Sequence, residues 1–89
     1  MSMYEINGSN GAPIVEAAGN ADALFDLGMN YAIGRSVPLD LISAHKWFNL
    51  AAMRGNKDAI RLRREIAEQM SEAEIAAAQK AARNWLTTH

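Results

Sequence analysis

Few side chains in this sequence have the types and spacing that catalysis or metal binding requires. The two imidazoles are those of His45 and His89, and neither is followed four residues later by a carboxylate that would place a second ligand on the same helix face. Asp22 and Asp26 lie one helical turn apart, where an acid pair can share a proton or bind a cation. We expect these aspartates on a solvated helix face and His45 as a partly buried polar residue. No catalytic residue and no metal site are therefore expected.

Cofactor chemistry also lacks its usual residues. The chain has no cysteine, which excludes disulfides, thiolate metal sites, iron–sulfur clusters and cysteine nucleophiles. The glycine-rich stretch 7–11 lacks both the preceding strand and the following Lys-Ser/Thr of a phosphate-binding loop. We therefore expect no bound cofactor and a protein that is not an enzyme.

Length and composition narrow the class further. The chain has 89 residues, 49% of them hydrophobic, and a formal net charge of -1, which suits one domain and not a general polyanion binder. No apolar run approaches the roughly 18 residues of a membrane span, and the first residues do not form a signal peptide. We expect a soluble, cytoplasmic, unprocessed protein without a membrane partner.

Residues 1–19 differ in composition from the rest of the chain. They hold glycines and a proline but no lysine or arginine, which is typical of a flexible or partly ordered tail. The segment 12–18 contains Ile14 and Val15, so it can form a turn of helix or dock as an extended arm. Both interpretations remain open.

From Asn20 onward the apolar residues recur with helical spacing. Capping signals divide this part of the chain, the strongest being Ser71 with Glu74 three residues later, which is a capping box. Gly34 is expected to end the first helix in the left-handed conformation. The predicted helices are Ala21–Ile33, Leu41–Arg54, Lys57–Gln69 and Glu72–Thr87. Their short connections predict antiparallel neighbours, that is, an all-α stack of two αα-hairpins.

The densest apolar stripes predict the core. Gly28 costs up to about 1 kcal/mol relative to alanine in mid-helix, so we expect the second helix to approach there, with Ala44 or Ala51 opposite. Lys46 and Asn49 are expected to face away from the densest face of that helix. The predicted core residues are Leu27, Gly28, Tyr31, Ala44, Trp47, Phe48, Ala51, Leu62, Ile66 and Trp85.

The first two predicted helices carry a motif of ordered, spaced residues. It reads Ala23-x3-Leu27-Gly28-x2-Tyr31-x2-Gly34-x2-Val37-x2-Asp40-x3-Ala44-x2-Trp47-Phe48-x2-Ala51-Ala52-x2-Gly55-x3-Ala59. This motif resembles the Sel1-like repeat, a tetratricopeptide-related αα-hairpin. The resemblance implies hairpins stacked as a short right-handed αα-superhelix and a scaffold for protein–protein contacts.

The resemblance covers one repeat. A second repeat would have Leu-Gly near positions 63 and 64, where this chain has Arg63 and Arg64, and Ser36-Val37 stands where the usual repeat has Gly-Val. We therefore expect one domain over 20–89, made of a repeat at 20–55 and a capping hairpin at 56–88, after the tail at 1–19.

A single repeat with a cap leaves apolar surface uncovered, because stacks of this type generally need about three units for stability. The expected function is therefore an adaptor or scaffold that offers this surface to a helix or extended segment of another protein, with a second copy of the chain as one candidate. The predicted contact residues are Phe25, Met29, Ile33 and Leu41, with Arg54, Arg61 and Arg64 at the rim.

A nucleic-acid-binding regulator is the alternative. Six of the nine basic residues lie between positions 46 and 64, with Asp58 as the one acidic residue among them. In this alternative the helix around Arg61–Arg64 reads the duplex. Protein is the expected partner and nucleic acid the less favoured one.

Overall fold

A computed structural model describes residues 20 to 88 and shows four α-helices there. They are α1 (Ala21–Ile33), α2 (Leu41–Met53), α3 (Lys57–Ala67) and α4 (Glu72–Thr88). The described residues form no strand, so the all-α prediction is confirmed. Three of the predicted helix ends move by one or two residues. The predicted tail at 1–19 and His89 lie outside the described residues.

The predicted caps explain where the helices begin. At the start of α4 the Ser71 hydroxyl accepts the Glu74 N–H at 3.1 Å, and the Glu74 carboxylate accepts the Ser71 N–H at 2.8 Å. This reciprocal pair is the predicted capping box. Asn20, Asp40 and Asn56 likewise accept backbone N–H groups at the starts of α1, α2 and α3. Local side-chain chemistry therefore sets all four starts.

Helix α2 is the centre of the fold, because it packs against each of the other three helices. Phe48 and Leu50 on α2 are fully buried. The buried core cluster contains Leu24, Ala44, Phe48, Leu50, Ala51, Ala59, Ile66 and Ala82. Four of these eight residues belong to α2.

Helices α3 and α4 do not form the predicted second hairpin. They make little contact with each other, and each packs mainly on α2. The reason lies in α3, whose narrow apolar stripe of Ala59, Leu62 and Ile66 is used against the core cluster, while most of its other side chains are charged. Helix α3 therefore has no second apolar face to offer α4.

Gly28 is a site of close approach between α1 and α2, and the nearest side chain there is that of Phe48. A Cβ atom at Gly28 would lie 2.5 Å from Cδ1 of Phe48, so the ring fills the space that a side chain would need. The side chain nearest to Gly28 is thus that of Phe48 rather than the alanine that the sequence predicts. Ala44 and Ala51 are fully buried, as core residues should be.

The periphery of the core requires two corrections. Leu27 is 37% exposed rather than buried, because α1 packs chiefly on one helix, α2, and cannot bury all of its apolar side chains there. Asn49 does not face away, because its side-chain oxygen accepts a hydrogen bond from Arg63 on α3 at 2.6 Å. The fully buried Leu24 and Leu50 are core residues missing from the predicted set.

Aromatic rings close the contact between α2 and α4. The rings of Trp47 and Trp85 meet edge to face with centroids 5.8 Å apart, and the Lys46 ammonium lies 4.1 Å from the centroid of the Trp47 ring. Both tryptophans are half-buried, as are Tyr31 and Leu62, and all four pack against the core cluster. Ile66 is buried.

Candidate functional site

The connection between α1 and α2 folds back on the end of α1. Gly34 adopts a left-handed φ of 73°, which glycine tolerates, and the Arg35 N–H donates to the Asn30 carbonyl at 2.9 Å. Five residues after Arg35, the Asp40 N–H donates to the Tyr31 carbonyl at 3.0 Å. These bonds fix both ends of the connection against α1.

Asp40 also anchors the start of α2. Its carboxylate accepts the Ser43 hydroxyl at 2.8 Å and the Ser43 N–H at 3.2 Å. The hydrogen bond from the Ser43 hydroxyl is the main cause that lowers the pKa of Asp40 below its ordinary value. Asp40 is therefore ionised at neutral pH, which strengthens its role as an N-cap.

Two large apolar side chains are exposed at this connection. Ile33 is 54% exposed at the end of α1, and Leu39 is 61% exposed just before Asp40. Leu39 lies next to the end of α1, because a Cβ atom at Gly34 would be 3.4 Å from the Leu39 Cβ. The sequence prediction missed Leu39, which follows Pro38 outside any helical periodicity.

Met29 and Leu41, two of the predicted contact residues, are half-buried and pack against the core cluster. We call the set Met29, Ile33, Leu39 and Leu41 the turn patch. Ile33 and Leu39 form its exposed part, while Met29 and Leu41 connect it to the core. Exposed apolar side chains that are held by a hydrogen-bonded turn are preorganised for binding.

Phe25, also a predicted contact residue, belongs with the core instead. Its ring lies 5.5 Å from that of the fully buried Phe48, with a tilt of 47°, and the side chain is half-buried. The ring also packs against the buried core cluster. Phe25 therefore supports the α1–α2 contact.

The arginines predicted at the rim are exposed, but part of their charge is neutralised locally. The Arg61 guanidinium lies 3.9 Å from the Asp58 carboxylate and 3.3 Å from that of Glu65. Arg54 and Arg64 are exposed on α2's C-terminal side and on α3. The turn patch lies partly on α1, whereas Arg61 and Arg64 lie on α3, and these two helices pack mainly on α2 rather than on each other. A common rim of Arg54, Arg61 and Arg64 around the turn patch therefore remains a prediction.

No metal-binding cluster accompanies this surface in residues 20–88. Within that range no three His, Cys, Asp or Glu side chains are grouped to hold a metal ion. Asp22 accepts a hydrogen bond from the Asn56 side chain at 3.2 Å, which links the starts of α1 and α3. None of the four described helices is both long and apolar enough to cross a lipid bilayer.

Comparisons with protein-family models, with curated proteins and with solved structures found no match for this chain.

Proposed function

We propose that this protein is a non-enzymatic interaction module of the Sel1-like repeat type, and that its turn patch receives a helix or extended segment of another protein. The observation that carries the proposal is the exposure of Ile33 and Leu39 at a hydrogen-bonded turn. Met29 and Leu41 form the base of the patch.

Three local features support assignment to this repeat type. Gly28 leaves room for the Phe48 ring of α2. Gly34 ends α1 with a positive φ, and Gly55 follows α2 with a φ of 101°. These are three glycines of the motif that resembles the Sel1-like repeat. The right-handed superhelix belongs to the proposal, and an added repeat or a partner would have to complete it.

The size of the patch sets the expected strength of binding. Full burial of an isoleucine or leucine side chain contributes about 1.5–3 kcal/mol, so covering the exposed halves of Ile33 and Leu39 contributes about 2–3 kcal/mol together. Each 1.4 kcal/mol is about a tenfold change in Kd. Removal of both side chains should therefore weaken binding by roughly 30-fold to 100-fold.

A matched pair of variants tests the proposal. Ile33→Asp combined with Leu39→Asp places charge in the patch, whereas Met53→Asp changes an apolar residue that is 59% exposed at the opposite end of α2. A photoreactive side chain at position 39 or 53 then captures neighbours in extracts of the source cells, and mass spectrometry identifies the adducts. We expect adducts from position 39 of the otherwise unchanged chain. In a pull-down without any photoreactive side chain, we expect the double aspartate variant to lose that partner while Met53→Asp keeps it.

The same experiment separates the possible occupants of the patch. Adducts of the chain with itself, together with a doubled mass in light scattering across a hundredfold range of concentration, would identify a second copy. Adducts with another protein, with an unchanged monomer mass, would identify a heterologous partner. If the partner is retained equally by the double variant and by Met53→Asp, the turn patch is not the binding site and the proposal fails.

The nucleic-acid alternative gains no support from α3. Arg61 is paired with carboxylates on its own helix, and Arg63 is turned inward to Asn49, so two of the three proposed reading side chains are already engaged. Duplex binding that falls steeply with salt and collapses on changing Arg61, Arg63 and Arg64 to alanine would restore this alternative.

A further inference from the structure

His45 is a titratable side chain that the fold buries without a complete set of hydrogen bonds. It lies on α2, is 4% exposed, and its Nδ1 atom has no hydrogen-bond partner. A neutral imidazole can remain in such a place at modest cost. An imidazolium donates from both ring nitrogens and needs acceptors, so its burial is far more costly.

A positively charged side chain, that of Arg63, is held near this imidazole. Arg63 on α3 donates from Nη1 to the side-chain oxygen of Asn49 at 2.6 Å, and Asn49 follows His45 by one helical turn on α2. Burial of the imidazole, and after it the positive charge of Arg63, lower the pKa of His45 below its ordinary value. Geometry and charge therefore both oppose protonation in the folded state.

No buried carboxylate is available to offset these two charges within residues 20–88. His45 is the one buried polar residue there, and Lys46, its neighbour on α2, lies over the Trp47 ring. The other charged side chains on the helices that pack against α2 are exposed; they are Asp22, Asp26, Lys57, Asp58, Arg61, Arg64, Glu65, Glu72, Glu74, Lys80 and Arg83. Arg63 is therefore the charged group that a protonated His45 would face.

We infer that the contact between α2 and α3 is acid-labile: a proton taken up by the buried His45 places two cations in this partly buried contact, and α3 is released from α2. This inference concerns α3 and does not depend on binding at the turn patch.

The direction of the pH dependence follows from the two states. In the unfolded chain the histidine has its ordinary pKa of 6.5, and in the folded chain the pKa is lower. Above pH 6.5 both states are neutral and the full stability is present. As the pH falls below 6.5 the unfolded or released state binds the proton first, and stability declines until the folded pKa is reached. Each pKa unit between the two states lowers the folding constant tenfold.

The first measurement is an NMR titration of the imidazole resonances of the wild-type protein, with His89→Gln used to assign them. We expect the His45 resonance to titrate below pH 6.5. Hydrogen exchange followed at pH 7.5 and pH 5.0 should show that the amides of α3 lose protection before those of α1 and the first turns of α2.

Two variants isolate the cause. His45→Phe keeps a ring of similar size, and its urea midpoint should not decrease between pH 7.5 and pH 5.0. The urea midpoint of His89→Gln should decrease as that of the wild type does. Arg63→Gln, which retains an amide donor toward Asn49, should reduce the loss. The inference is overturned if His45 titrates at its ordinary pKa in the folded protein. It is also overturned if His45→Phe loses as much stability in acid as wild type, and the titration decides the matter if that variant does not fold.

Discussion

Replacing Gly28 with alanine tests how closely α1 and α2 approach. The added Cβ would lie 2.5 Å from Cδ1 and 2.6 Å from Cε1 of Phe48. Carbon atoms in favourable contact are about 3.5–4.0 Å apart, so the ring or the helix must move by about 1 Å. Phe48 is fully buried and its ring packs against Phe25, so a shift of the ring would disturb the packed core.

Two opposing terms decide the sign of the effect on the free energy of unfolding. Helix propensity favours alanine over glycine by about 0.8–1.0 kcal/mol in a helix interior. Inserting a methyl group into a packed core costs about 1–3 kcal/mol, and the fixed Phe48 ring places this site in the upper part of that range. We therefore expect Gly28→Ala to lower the stability by about 1–2 kcal/mol.

Urea denaturation followed by circular dichroism at 222 nm measures this change. Ala76→Gly, at an exposed interior position of α4, measures the propensity term alone and should cost about 1 kcal/mol. Phe48→Leu should partly rescue Gly28→Ala, so the double variant should be at least about 1 kcal/mol more stable than the sum of the single changes predicts. If Gly28→Ala instead stabilises the protein by the full propensity term, the close approach of the two helices is refuted.

Two further changes test the capping box and the aromatic contact. Ser71→Ala removes the acceptor of the Glu74 N–H and should lower the free energy of unfolding by about 1 kcal/mol in urea denaturation. Glu74→Gln keeps an acceptor for the Ser71 N–H and should cost less. Equal losses of stability in the two variants would contradict the assignment of the capping box. Trp85→Ala removes the edge-to-face partner of Trp47 and should lower the free energy of unfolding by about 2–3 kcal/mol, because the Trp85 side chain is half-buried. The emission maximum of the remaining Trp47 should shift to the red, and an unshifted maximum would contradict the contact.

The helix starts could be predicted from sequence because their causes are local. Asn20 and Ser71 each act on backbone groups two or three residues away, and such contacts require no knowledge of the rest of the fold. Gly34 is equally local, since its positive φ follows from the lack of a side chain. The outward positions of Asp22 and Asp26 follow from helical periodicity.

The burial of individual side chains could not be predicted in the same way, because it depends on how many helices surround each one. Leu50 is fully buried because three helices enclose α2, whereas Leu27 is partly exposed because α1 has essentially one neighbour. Helical periodicity gives the direction of a side chain but not the number of its neighbours. The expected second hairpin of α3 and α4 depends on such contacts as well, because the one apolar stripe of α3 is used against the core cluster.

The candidate site was predicted in part for a related reason. Ile33 follows the helical pattern of α1, so the sequence indicates it as an apolar residue outside the main stripe. Leu39 lies in the connection, and its exposure depends on a turn that folds back through the hydrogen bond between Asp40 and Tyr31. No periodic pattern describes that geometry.

The central position of α2 makes the two proposals independently testable. The turn patch is held by bonds between α1 and the start of α2, as the Asp40 to Tyr31 hydrogen bond shows. His45 lies one turn beyond Leu41 on α2 but faces the contact with α3, whose charge is that of Arg63. Release of α3 in acid therefore removes neighbours of α2 without breaking the bonds that shape the turn. A partner bound at the patch should stay bound at pH values at which α3 has lost its amide protection, provided that α1 remains protected. Loss of both together would mean that α3 supports the turn through the shared core, and that the two surfaces act as one unit.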